Sequence, residues 1–205
     1  PEPCLLLASN SRRSPRRARC QISSCGADRS KTNASKFVPT WQDFRVKLHG
    51  SCHCGNVRFD VESAHPYPFN LCYCSICRKT AGGGGYAINL GADFDTMQVE
   101  GREHVRVYRA SIRDDRTGKT RLSPAERSFC GTCGSALWVW DPRWSELVHP
   151  FASAVDTELP VPPERTHLML SSQANWVAVE NRDGDKCFAE YPDESIAAWH
   201  ARHDI

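Results

Sequence analysis

Apolar and polar residues alternate over short stretches of the chain from about residue 46 onwards. This period of two predicts β-strands, with the candidates at residues 57–61, 86–90, 105–108, 137–140, 167–170 and 176–179. Glycine, proline and aspartate residues lie between these stretches and predict turns. Strands do not alternate regularly with helices, and no internal repeat is present. The pattern therefore predicts a mainly β fold made of small sheets.

One helix is predicted near the end of the chain. Ile196, Ala197 and Trp199 provide one apolar side, and Pro192 and Asp193 precede them. An aspartate side chain can accept a hydrogen bond from the free N–H groups of a first helical turn. We therefore expect a short C-terminal helix capped by Asp193.

The charge of the chain divides it into two parts. Residues 1–36 hold eight Lys or Arg and two acidic residues, whereas the remaining residues hold 18 basic and 22 acidic ones. A basic stretch without apolar periodicity predicts a disordered arm over 1–36 and a folded domain over 37–205. The arm is a solvated tail, an organellar transit segment, a nuclear or nucleic-acid-binding arm, or a misassigned gene start. With no secretion signal or long apolar run, we expect a cytoplasmic protein, unless the arm directs it to an organelle or the nucleus.

Seven of the eleven cysteines fall into three tight motifs. These are C-x-C at residues 52–54, C-x-C-x-x-C at 72–77 and C-x-x-C-G at 130–134. Neighbouring thiols of a C-x-C motif bridge poorly to each other, and a reducing compartment disfavours disulfides. Clustered thiolates suit Zn²⁺, which takes four ligands in a tetrahedron. Ordinary thiols are expected at the positions outside the motifs, Cys4, Cys20, Cys25 and Cys187.

Seven thiolates are one fewer than two four-cysteine sites require. This number predicts one closed zinc site and one site with an open fourth position, the usual difference between structural and catalytic zinc. Residues 52–54 are one candidate partner for the pair in residues 130–134. The motif at residues 72–77 would then form the open site. Spacing leaves open the alternative in which residues 72–77 contribute to the closed site.

The ordered motifs resemble a known family. Residues 50–57, 72–79 and 127–137, together with the later stretches 163–167 and 175–176, are similar to the glutathione-dependent formaldehyde-activating enzyme family, which includes the centromere protein V domain. The similarity covers about residues 46–190. Tyr73 departs from the pattern, because many members carry histidine between the first two cysteines of the middle motif. The glycine run 82–85 is a second departure, since members often have a bulkier residue there.

This resemblance implies small β-sheets packed around a zinc–thiolate centre and two zinc ions per chain. It implies that a structural zinc is held by Cys52, Cys54, Cys130 and Cys133. It also implies that a second, labile zinc, where glutathione acts, is held by Cys72, Cys74 and Cys77. We therefore expect these last three cysteines to form the catalytic centre.

The leading functional hypothesis is a carbon–sulfur lyase-type enzyme that joins glutathione and formaldehyde to S-hydroxymethylglutathione, or acts on a related thiol adduct or aldehyde. Glutathione carries two carboxylates, so Arg78 and Lys79 are its predicted binding residues. His53 and His167 are interpreted as structural. The alternative is a non-catalytic zinc-binding module that docks a protein or chromatin partner. We expect no membrane partner, and nucleic-acid contact only through the basic arm.

Overall fold

The computed structural model describes residues 45–65, 69–114 and 116–204, and its strands form four β-sheets. Two short α-helices, α1 (Ser75–Ala81) and α2 (Ile196–Arg202), accompany the sheets. The strands are β1 (Val46–Ser51), β2 (Arg58–Ser63), β3 (Phe69–Cys72), β4 (Ala87–Asn89), β5 (Ala92–Asp93), β6 (Gln98–Glu100), β7 (Val105–Tyr108), β8 (Ser111–Arg113), β9 (Thr120–Leu122), β10 (Glu126–Cys130), β11 (Ala136–Trp140), β12 (Leu147–Pro150), β13 (Arg165–Leu168) and β14 (Lys186–Cys187). The prediction of a mainly β fold with small sheets and a short C-terminal helix is confirmed.

The sheets differ in size and in strand direction. One has the order β1-β2-β6, and a larger antiparallel one has the order β5-β12-β11-β10-β7. A third has the order β14-β13-β3-β4, in which β13 runs parallel to β3 and β14. The hairpin β8–β9 is the fourth. Strand β3 of the mixed sheet ends at the first cysteine of the middle motif.

The main apolar cluster lies between the first two of these sheets. Leu48 of β1 pairs with Val61 of β2, and both are buried because alternate residues of these strands face inward. Leu137 and Val148 contribute from β11 and β12. Cys52 and Cys130 belong to the same buried cluster. A second cluster contains Cys72 and Cys77, so each group of thiols borders apolar core.

Two local predictions were wrong. Residues 176–179 do not form a strand, because Val177 N–H donates to the Ala174 carbonyl at 3.0 Å and closes a turn. Val177 is buried by this turn, whereas Trp176 is exposed. The second concerns helix α1 (Ser75–Ala81), since the sequence predicted a helix only near the end of the chain.

The C-terminal helix starts later than predicted. Ser195, rather than Asp193, caps it, because its hydroxyl accepts a hydrogen bond from the Ala198 N–H at 3.1 Å. Trp199 is buried and its indole donates to the Glu164 carboxylate at 3.0 Å, which fixes the helix against the domain. The apolar side of this helix was predicted correctly, but a choice between two nearby polar caps depends on the backbone path.

The predicted arm at 1–36 and its boundary with the domain lie outside the described residues, and so do Cys4, Cys20 and Cys25. These predictions therefore stay predictions. Within the described ranges, no helix is long and apolar enough to cross a membrane.

Gly50 offers a test of the packing between β1 and β2. A Cβ atom at this position would lie 2.2 Å from the Phe59 ring and 2.5 Å from the Ala154 carbonyl oxygen. We expect Gly50→Ala to lower the free energy of unfolding by roughly 1–3 kcal/mol, because overpacking a core destabilises it by this amount. Gly83→Ala is the matched control, because nothing lies within 4 Å of its new methyl group. Equal urea unfolding midpoints for the two variants would show that this packing is not tight.

Candidate metal centres

The first thiol group is built from two hairpins that are far apart in sequence. Cys52 and Cys54 lie in the turn between β1 and β2, whereas Cys130 ends β10 and Cys133 lies in the turn that follows. Each cysteine pair is followed directly by a glycine with φ of +76°, at positions 55 and 134. This left-handed conformation is cheap only for glycine, and it folds each turn back towards its own thiols.

Direct hydrogen bonds link the two turns to each other. The backbone N–H of His53 donates to the Ser135 hydroxyl at 3.1 Å, and the Asn56 amide donates to the Thr132 hydroxyl at 3.3 Å. His53 itself is exposed, and only its backbone takes part in this link. These two exposed hydrogen bonds orient the turns relative to each other alongside the thiols.

The sulfur spacing of this group suits a tetrahedral ion. All four sulfur atoms lie within 4.8 Å of one another, with Cys52 Sγ 3.4 Å from Cys54 Sγ and Cys54 Sγ 3.7 Å from Cys130 Sγ. A zinc–sulfur distance of about 2.3 Å implies sulfur atoms about 3.8 Å apart in a tetrahedron. The group fits a closed zinc site, with Cys52 and Cys130 buried and the other two thiols exposed.

The second thiol group is local in sequence. Cys72 ends β3, Cys74 caps helix α1, and Cys77 lies in the first turn of that helix. The Cys77 N–H donates to Cys74 Sγ at 3.3 Å, and all three sulfur atoms lie within 4.8 Å of one another. Cys72 and Cys77 are about 5% exposed, whereas Cys74 is half-buried. This group fits a three-thiolate site approached from the Cys74 side.

Hydrogen bonds concentrate negative charge on one thiol of the second group. The thiols of Cys72 and Cys77, and then the backbone N–H groups of Cys77 and Ile76, lower the pKa of Cys74 to about 2. The thiols of Cys74 and Cys77, together with burial, raise the pKa of Cys72 far above its ordinary value. Adjacent thiolates repel each other, so one of them ionises at the expense of the others. A bound cation would relieve this repulsion, because a coordinated thiol is deprotonated outright.

The first group has the same electrostatic imbalance. The hydroxyl and then the N–H of Ser135 lower the pKa of Cys133 to about 5. For Cys54, the Asn56 N–H favours the thiolate, but desolvation and the neighbouring thiols raise the pKa to about 12. The chemistry of the donors and their spacing thus agree that each group could hold a soft cation.

The structure brings the seven predicted cysteines together as a group of four and a group of three. This is the same division that the family resemblance implies. Cys187 lies outside both groups and is exposed. The identity and number of the ions stay predictions.

A buried chain of polar side chains supports the second group from behind. Tyr73, between two of its cysteines, hydrogen-bonds through its hydroxyl to His167 Nδ1 at 2.9 Å. The other ring nitrogen of His167 lies 3.5 Å from Asp185 Oδ2, and Arg165 Nε donates to the same oxygen at 2.8 Å. Burial lowers the pKa of His167 and raises the pKa of Tyr73 to about 12, so both are neutral near pH 7. His167 is thus a hydrogen-bonded buried residue, in line with its structural interpretation.

Arginine side chains lie near Cys77. Arg78 and Lys79, the predicted glutathione-binding residues, lie in the last turn of α1, where Arg78 is half-buried and Lys79 is exposed. The sequence pattern gave no role to Arg127 of β10. The hydrogen bond from Cys72 favours the Cys77 thiolate, but Cys74 and burial raise the pKa of Cys77 to about 11, and the positive charge of Arg127 offsets only a small part of this rise. Its position three residues before Cys130, inside the third motif, was the available signal.

A small cavity adjoins the second group. It has a volume of about 190 Å³ and is lined by residues that include Gly83, Gly84 and Tyr86. Its remaining wall includes Ala81 and Ala87, which also pack in the apolar cluster around the thiols. The glycine run therefore borders open space beside the candidate site.

Fold and site together define a small mainly β domain with two cysteine groups placed to hold metal ions. Residues 47–171 match the family described as glutathione-dependent formaldehyde-activating enzyme, a range that contains both groups. The chain belongs to this family.

A curated relative and a solved structure are similar to the chain. The relative, from Halomonas elongata, is named "Putative glutathione-dependent formaldehyde-activating enzyme" and is 67% identical over 155 residues, which are 76% of this chain and 95% of that protein. A crystal structure of a Rhodobacter sphaeroides protein is 27% identical and covers 55% of this chain and 91% of its own, with a TM-score of 0.41.

The hydrogen bond between Tyr73 and His167 can be tested by deleting one hydroxyl. We expect Tyr73→Phe to lower the free energy of unfolding by about 1–3 kcal/mol, because a buried ring nitrogen loses its partner. Tyr86→Phe is the control, since the Tyr86 hydroxyl makes no hydrogen bond within the described part of the chain and its ring lies beside that of Tyr73. Urea unfolding of the zinc-loaded proteins measures the difference. Equal stability of the two variants would mean that the buried chain does not support the site.

Proposed function

We propose that this protein is a zinc-dependent enzyme that adds glutathione to formaldehyde to form S-hydroxymethylglutathione. The observation that carries the proposal is the separate group of three converging thiols, to which the described residues add no fourth metal ligand. The family match over the residues that hold this group supports the same activity.

The proposed reaction conserves all atoms of the two substrates. The sulfur of glutathione forms a bond to the formaldehyde carbon, the carbon–oxygen π bond breaks, and the thiol proton ends on the new hydroxyl oxygen. Run in reverse, the reaction is the cleavage catalysed by a carbon–sulfur lyase. It needs no oxidant, reductant or additional co-reactant.

Each part of the three-thiol site has a proposed role. Cys72, Cys74 and Cys77 would hold a zinc ion and leave its fourth position open. When bound, the ion supplies a low thiol pKa for glutathione and a polarising charge for the aldehyde oxygen. Arg78 and Lys79 would bind and orient glutathione through its carboxylates.

The four-thiol group has a different proposed role. Cys52, Cys54, Cys130 and Cys133 would hold a closed zinc that ties two hairpins together. A structural zinc contributes roughly 10–16 kcal/mol in small zinc domains, so this site would stabilise the fold rather than take part in the reaction.

Zinc content distinguishes these two roles. We expect two zinc ions per chain by mass spectrometry of the reduced protein, with one made labile by glutathione. Cys77→Ser should retain one ion and a folded domain, whereas Cys133→Ser should lose the folded state because it breaks the closed site. A single ion that glutathione does not mobilise would instead favour a non-catalytic binding module.

The activity is tested by following the exchange between formaldehyde, glutathione and their adduct by NMR. Because the adduct also forms spontaneously, the measured quantity is the exchange rate above the enzyme-free rate. We expect the zinc-loaded protein to raise this rate and Cys77→Ser to return it to the spontaneous value, while Cys187→Ser, outside both thiol groups, leaves it raised. An exchange rate that the zinc-loaded protein does not change would refute the proposed activity.

A further inference from the structure

Unsatisfied buried donors occur at one place in the described part of the chain. Three buried side-chain nitrogen atoms there lack a hydrogen-bond partner: Nε of Arg78, and Nε and Nη1 of Arg127. Folded proteins satisfy nearly all of their buried polar groups, so an exception indicates strain or an absent partner. Arg78 directly follows Cys77, and Arg127 pairs with a strand residue that packs in the apolar cluster of Cys77, so the exceptions fall near the three-thiol group.

Strand geometry explains why Arg127 reaches this group. Arg127 of β10 pairs with Val139 of β11, and paired residues of neighbouring strands project to the same side of a sheet. Val139 packs in the apolar cluster that contains Cys72 and Cys77. Arg127 therefore projects from the five-stranded sheet towards the thiols. Arg78 directly follows Cys77 on helix α1.

Arg78 and Arg127 differ from Arg165, whose largely buried side chain forms an ion pair. Arg165 has a side chain that is 20% exposed, and it forms an ion pair with Asp185 at 2.7 Å. Neither Arg78 nor Arg127 forms an ion pair with any described carboxylate, and their three buried nitrogen atoms donate to no sulfur atom of the cluster. Both side chains are only half-buried, but their buried N–H groups that donate to nothing are costly, so the fold leaves these donors for a partner outside the chain.

We propose that Arg127, together with Arg78, forms a carboxylate-binding site that anchors the thiol co-substrate beside the three-thiol centre. A carboxylate suits these donors, because it accepts charge-assisted hydrogen bonds from guanidinium groups and cancels their charge. This inference rests on the proposed function, which supplies the dicarboxylate glutathione as the ligand. It adds a specificity element: the site selects thiols that carry a carboxylate over neutral thiols.

The test separates carboxylate binding from a general effect on the thiol group. Calorimetry without formaldehyde would compare glutathione with glutathione diethyl ester, which keeps the thiol but lacks both free carboxylates. The proteins are the zinc-loaded wild type, Arg127→Met, Arg127→Lys and the control Arg121→Met, which removes an exposed arginine of β9. Zinc content and urea unfolding midpoints identify any variant that has lost its site or its fold.

We expect the wild type to bind glutathione at least about tenfold more tightly than the ester, as hydrogen bonds to charged groups imply. Arg127→Met should lose about tenfold or more in affinity for glutathione and less than about twofold for the ester. Arg127→Lys should recover part of the loss, and Arg121→Met should bind as the wild type does.

Two results would overturn this inference and leave the proposed function intact. These are unchanged glutathione binding by Arg127→Met, and an equal loss for glutathione and the ester, which would mean that Arg127 acts only on the thiol group. In both cases the wild type still speeds the exchange of formaldehyde and glutathione. A wild type that neither binds glutathione nor changes that rate would remove the proposed function and the carboxylate site with it.

Discussion

Repulsion between closely spaced thiolates is the constraint around which this domain is organised. Seven sulfur atoms are gathered into two groups, each within 4.8 Å, and four of these cysteines are buried. Without a cation, neighbouring thiols compete for protons, which drives their pKa values apart within each group. A divalent soft ion removes this conflict and turns the same sulfur atoms into attractive ligands. If the two groups bind zinc as we propose, folding and metal binding are coupled.

The two groups differ in how far apart their cysteines lie in the sequence. The four-thiol group draws on the turn after β1 and the turn after β10, so it closes only when two sheets come together. The three-thiol group lies within one strand-to-helix segment, residues 72–77, so no distant segment contributes a thiol to it. A site assembled from distant parts suits a tie across the fold. A local site can leave one position open without weakening that tie.

The surroundings of the three-thiol group differ on its two sides. Behind it, Tyr73, His167 and Asp185 form a hydrogen-bonded chain whose members satisfy one another. By contrast, Arg78 and Arg127 hold buried donors that find no partner in the described part of the chain. The satisfied side would keep the thiols in place, and the unsatisfied side would receive a ligand. An enzyme site needs reactive groups that are held in place and donors that are free to bind the ligand, because positioning must precede reaction.

The sequence alone determined the class of fold and which cysteines cluster. The reason is that period-two alternation and short Cys spacing are local features, which survive without any tertiary contact. Local signals misread residues 176–179, helix α1 and the Ser195 cap, because the same residues suit several backbone paths. Tertiary structure alone decided that the turns holding residues 52–54 and 130–133 meet. It also decided that Arg127 lies beside Val139, which packs in the cluster of Cys77, since the partner of a strand residue depends on which strands pair and in what register.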